Sequence, residues 1–170
     1  MLARLSYFVC TFCIALAGLP IDARAQSDGV RIQFDFQGRV DCDQPIKINN
    51  FPFSGRGSGI IFANRKASLD VTISGATTNQ MRFDANLGGA PMSAPGGTAQ
   101  LRVLGANRLR MIWSLPNNDL AVDVTVSGRS CTTTIDNRLK RGSRQFSMFD
   151  GGTFLFCSKP RIERTSCNIR

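Results

Sequence analysis

The chain has 170 residues, no histidine, and a net charge of +9 from 21 basic and 12 acidic side chains. Its length suits one domain with a sizeable core. The missing histidine removes the Ser-His-Asp and Cys-His nucleophile systems, the usual neutral-pH base and the commonest zinc ligand together.

Met1 to Arg4 forms a short positive start, and Leu5 to Gly18 is apolar apart from Ser6 and Thr11. Pro20 and the small-residue site Ala23-Arg24-Ala25 follow, with Gln26 as the expected mature start. This is the layout of a secretory signal, and its apolar run is too short for a comfortable membrane span. Residues 1–25 are therefore read as a cleaved signal peptide and 26–170 as a single extracytoplasmic domain, periplasmic or secreted, without a membrane span. Cleavage also removes Cys10, Cys13 and Tyr7, the one tyrosine.

After the signal, period-two alternation dominates. Val30, Ile32, Phe34 and Phe36 alternate with Arg31, Gln33 and Asp35. Leu69, Val71 and Ile73 repeat the pattern, as do Met81, Phe83, Ala85 and Leu87, then Leu109, Met111 and Trp113, then Leu120, Val122, Val124 and Val126. Such runs are half-buried strands of antiparallel sheet. Further strands are expected at 45–49, 59–63, 99–104, 129–135, 144–149 and 153–157. Gly105-Ala106-Asn107, Pro116-Asn117-Asn118-Asp119, Ser127-Gly128 and Gly151-Gly152 supply hairpin punctuation. Ser54 to Gly59 and Gly88 to Thr98 read as loops, because their glycines and prolines suit a ladder poorly. Phe51-Pro52-Phe53 reads as a loop whose rings plug the core or face a partner.

No window of eleven residues keeps a helical stripe after the signal. The expected fold is all-β: an antiparallel β-sandwich or meander barrel of about ten short strands, stapled by disulfides. Asp70-Val71-Thr72-Ile73-Ser74-Gly75 recurs as Asp123-Val124-Thr125-Val126-Ser127-Gly128. This raises an internal duplication of about 58–98 and 109–152 within the one domain.

Four cysteines remain in the exported chain: Cys42, Cys131, Cys157 and Cys167. An even count in that setting reads as two disulfides, for which sequence permits three pairings. The expected pair is Cys157–Cys167, stapling a C-terminal hairpin around Ser158-Lys159-Pro160, with Cys42–Cys131 over the long range. A zinc site is disfavoured because no two of the four lie within four residues of each other, and no metal or cofactor is expected.

Eight basic residues against Asp150 and Glu163 crowd positions 138–170. Arg138, Lys140, Arg141, Arg144, Lys159, Arg161 and Arg164 are the candidate anion-binding residues, with a solvated basic face as the plainer reading. Asp41 and Asp43 flank Cys42 and would point the same way in a strand, which suits acid–base work or a hard cation. The aromatic platforms usual in a sugar-cleaving cleft are missing, since Trp113 is the one tryptophan. No nucleophile elbow or phosphate loop is present. Phe154 and Phe156 stand among basic residues, as in single-strand binders, but sheet packing explains them more simply and nucleic acid is not the expected partner.

The chain is thus expected to be an exported, non-enzymatic binding or structural module of a cell envelope. Its basic C-terminal region would meet an anionic envelope component or another exported protein. The alternatives are a small-ligand carrier barrel and a histidine-free hydrolase using Asp41 and Asp43.

Overall fold

The computed structural model describes residues 29–62, 66–83, 89–105 and 107–170. The signal expected at 1–25 lies outside the described residues, as do Ala85 and Leu87 of the strand expected at 81–87. Among the described residues twelve strands follow one another without a helix: β1 (Gly29–Gln44), β2 (Ile48–Phe62), β3 (Ala67–Ser74), β4 (Thr78–Phe83), β5 (Met92–Ala94) and β6 (Gly97–Gly105). The second half holds β7 (Arg108–Ser114), β8 (Asn118–Ser127), β9 (Ser130–Leu139), β10 (Phe146–Asp150), β11 (Thr153–Cys157) and β12 (Arg161–Ile169).

All pairings are antiparallel, and the strands form two sheets around one core. The first sheet runs β10-β11-β1-β2-β3-β4, with β12 also paired to β1; the second runs β5-β6-β7-β8-β9. Among the described residues the sheets do not close on themselves, so the sandwich alternative holds and the barrel does not.

Alternation decides which face each strand buries. Ile32, Phe34, Phe36, Val40 and Cys42 of β1 are buried, while Arg31 and Gln37 are exposed and Gln33, Asp35 and Arg39 half-buried. Across the core, Leu120, Val122, Val124 and Val126 of β8 do the same for the second sheet.

The glycine-rich segment 54–59 is not a loop but the middle of β2. Gly55 and Gly57 sit opposite Phe36 and Phe34 on the inward face, and the two rings occupy the space their side chains would take. A methyl group added to Gly55 or Gly57 would lie 2.2 Å from the Cζ of the ring above it. A glycine placed this way makes a socket for a large cross-strand neighbour rather than a flexible link. Phe51 and Phe53 likewise belong to β2 and point inward, with Pro52 exposed between them. The Phe53 ring meets Phe36 edge-on at 6.5 Å. The segment 88–98, also expected as a loop, contains β5 and the start of β6, joined by a turn in which Gly96 has φ 70°. The Phe149 ring of β10 lies against Gly96, a contact that a side chain there would block.

The disulfide pairing differs from expectation. Cys42 bonds to Cys157 and Cys131 bonds to Cys167. The cause is the shared edge of β1, which pairs with β12 over residues 32–39 and with β11 at Cys42 and Gln44. Cys157 therefore lies directly across from Cys42, with Cα atoms 3.9 Å apart. β11 and β12 do not pair, so the hairpin expected around residues 158–160 does not form. Cys167 sits opposite Phe34 on the inward side and reaches Cys131 on β9 of the other sheet. Closing sequence separations of 115 and 36 residues contributes about 4–5 and about 4 kcal/mol in the chain-entropy view.

Candidate functional site

Residues paired across an antiparallel ladder point to the same side of the sheet. The register therefore assembles the outer face of the first sheet row by row. One row reads Arg164, Gln37, Ser54, Ser74 and Thr78; the next reads Ser166, Asp35, Arg56, Thr72 and Gln80. A third reads Asn168, Gln33, Ser58, Asp70 and Arg82. Arg39 and Arg161 are paired at one end of this face, and Arg31 and Arg170 are joined by a backbone hydrogen bond at the other.

The face is built from short hydroxyl side chains on β2 and β3, flanked by long amides and guanidinium groups on β1. The difference in length leaves three shallow hollows along β2, of about 350, 290 and 280 Å³. Its three acids already have partners. Glu163 pairs with Arg39 at 3.3 Å, Asp70 pairs with Arg82 at 3.7 Å, and Asp35 accepts a hydrogen bond from the Ser166 hydroxyl. Among the described residues, Arg31, Arg56, Arg161, Arg164 and Arg170 make no ion pair. The face therefore carries uncompensated positive charge.

The seven basic residues singled out from sequence fall in different places. Arg161 and Arg164 lie on β12 and join this face. Arg138 ends β9 on the outward side of the second sheet, where it pairs with Asp136 at 2.5 Å. Lys140 is held by the Leu115 carbonyl and by Asp119, 3.7 Å away. Arg141, Arg144 and Lys159 are exposed in the connections on either side of β10 and β11. The outer faces of two stacked sheets look in opposite directions, so Arg138 does not share a surface with Arg161 and Arg164. Arg31, Arg39 and Arg56 complete the basic face and are not among the seven. The signal for them was present, since Arg31 and Arg39 share the wet parity of β1, but Arg56 was hidden in the segment read as a loop.

The outer face of the second sheet is held by a two-pronged ion pair. Arg110 Nε and Nη2 donate to the two Asp123 oxygens at 2.8 and 2.7 Å, and Arg108 stands 3.9 Å away. Those hydrogen bonds hold the Asp123 carboxyl below its ordinary pKa and raise that of Arg110, against an opposing effect of burial on each. This charge is compensated within the sheet.

Asp41 is engaged in the fold itself. Its Oδ1 accepts the N–H of Asn50 at 2.7 Å, fixing a residue with φ 59°, and its carbonyl accepts from Ser158. Asp43 is exposed one residue beyond Cys42. Between the sheets, Phe53, Ile73, Trp113, Leu120 and Met148 line a hollow of about 40 Å³. Small-molecule sites usually offer about 300 Å³ or more. No helix among the described residues is long and apolar enough to cross a membrane.

No family model, no curated protein and no solved structure matches this chain. The two disulfides are consistent with an oxidising, extracytoplasmic location.

Proposed function

We propose that the protein is an exported, non-enzymatic binding module that meets an anionic envelope component through the basic outer face of its first sheet. The observation that carries this reading is the register, which gathers Arg161 and Arg164 from the C-terminal strand with Arg31, Arg39 and Arg56 from the first two strands. Guanidinium groups that outnumber the three acids of the face, Asp35, Asp70 and Glu163, recruit anions by direct pairing and by raising the local potential. The small hollow between the sheets, about 40 Å³ among the described residues, supports surface binding over the carriage of a small ligand. The structural work of Asp41 supports a binding role over hydrolysis.

Retention on an anionic matrix tests the proposal. Binding should weaken steeply between low and moderate salt, because exposed charges lose one another beyond a Debye length. Reversing Arg161 and Arg164 together should reduce retention without lowering the unfolding midpoint. Binding that ignores ionic strength, or a double variant that binds as before, would remove this surface from the proposal.

A further inference from the structure

The three hollows on the basic face are not scattered. The first is bounded by Arg31, Gln33, Ser58, Asp70 and Arg170, the second by Asp35, Gln37, Ser54, Arg56 and Thr72, and the third by Gln37, Arg39, Ser54, Ser74 and Glu163, so that each holds one acid. The second and third share Gln37, Ser54 and Ser74, and all three follow β2. The first shares no residue with the other two but lies in the next row of β2, so the three line up as a trough whose floor carries hydroxyls and whose near wall is β1. From Arg31 to Arg39 it runs about 26 Å at about 3.3 Å per residue.

We infer that this trough holds an extended acidic polysaccharide, lying lengthwise along β2, with its carboxylates met by Arg31, Arg56, Arg164 and Arg170. The inference rests on the anion-binding reading above and names its ligand. Three features select this class. The length of the trough suits several linked sugars rather than a single small anion. Its floor offers serine and threonine hydroxyls, and its wall offers glutamine amides, which can donate to and accept from sugar hydroxyls. Arginines that make no ion pair among the described residues stand at both ends and in the middle, where Arg56 faces Asp35 across the ladder, and a chain with acid groups at intervals would meet them. Single-stranded nucleic acid fits less well, because its binders stack bases on aromatic rings. Between Arg39 and Arg31 the outward side chains include no aromatic; Phe62 lies beyond, at the end of β2.

The experiment uses the exported, disulfide-bonded protein and four probes: polygalacturonate, neutral dextran, a single-stranded oligothymidylate and phosphatidylglycerol vesicles. Polygalacturonate should bind and dextran should not. Arg56→Glu should weaken binding at least tenfold. Ser58→Gln, which fills the floor without changing charge, should weaken it severalfold; charge attraction alone would leave it unchanged. Reversing Arg141 and Arg144, away from the trough, should have no effect. Circular dichroism and the unfolding midpoint confirm that each variant is folded.

The outcomes separate this inference from its parent. Polygalacturonate binding that survives Arg56→Glu and Ser58→Gln overturns the trough and leaves an anionic partner elsewhere. Tighter binding of oligothymidylate or vesicles, lost in the same variants, keeps the basic face and overturns the polysaccharide. Failure of every anionic probe overturns both.

Discussion

Phe34 and Phe36 are completely buried, and each owes its place to a residue with no side chain. Burying a phenylalanine contributes roughly 1.5–3 kcal/mol, so the glycines across the ladder are structural positions of the core. Gly57→Ala would force a methyl group into a space already filled by the Phe34 ring, in a core that tolerates little extra volume. The expected loss is about 2–3 kcal/mol, read as a lower urea midpoint at unchanged slope. Phe34→Leu in the same chain should recover part of it, since the two residues contact each other and their effects do not add. Simple addition of the two losses would argue against the socket.

Asp123 gives a second prediction at this scale, with a sign that pH can check. Its carboxyl is held below the ordinary range chiefly by the hydrogen bonds from Arg110. The stabilisation is therefore present above the unfolded-state value, near 4, and is lost as pH falls through the lower folded-state value. Asp123→Asn should cost about 1 kcal/mol at neutral pH, allowing for the partial exposure of Arg110. The difference from the parent protein should shrink on acidification below about pH 4. A penalty that stays constant with pH would mean that packing, not charge, accounts for it.

At the scale of elements, a residue expected in a hairpin turn joins three strands. Asn118 opens β8, is 1% exposed, and accepts the Ser147 N–H of β10 at 2.7 Å. Its amide donates to Asn137 of β9 at 2.8 Å. Replacing it with alanine would strand a buried N–H on the strand at the edge of the first sheet. The cost should be about 2–3 kcal/mol, together with faster hydrogen exchange in β10 than in β3. Thr77 ties other elements: it donates twice to Asp150 at 2.6 Å and accepts from Gly151, linking the β3–β4 and β10–β11 turns. The disulfides work at the same scale, one within the first sheet and one between sheets. Peptide mapping without reduction should recover Cys42 with Cys157 and Cys131 with Cys167. A Cys157–Cys167 peptide would contradict the shared edge of β1.

For the whole molecule, two sheets and one core leave two large outer faces with different electrostatics. On the second sheet Asp123 and Asp136 answer Arg110 and Arg138 within the sheet. On the first sheet the acids are already engaged, and several arginines make no ion pair among the described residues, which is why the proposed binding is assigned to that face. The proposed export concerns the entire chain. The natural product should begin at Gln26 and offer no free thiol to alkylation. An intact Met1, or four reactive thiols, would overturn the extracytoplasmic reading.

Alternation by itself determined the all-β class and the inward residues of β1, β3, β7 and β8, because side-chain direction in a strand depends on parity alone. The same logic marked Arg31, Gln33 and Asp35 as outward. It failed where composition outweighed pattern: the segment with Gly55 and Gly57 looked like a loop, since the rings that make glycine suitable at those two positions come from another strand. The cysteine pairing and the basic face were decided only by tertiary structure. Both depend on which strands share the edge of β1 and in what register, and that long-range pairing leaves no local trace in the order of residues.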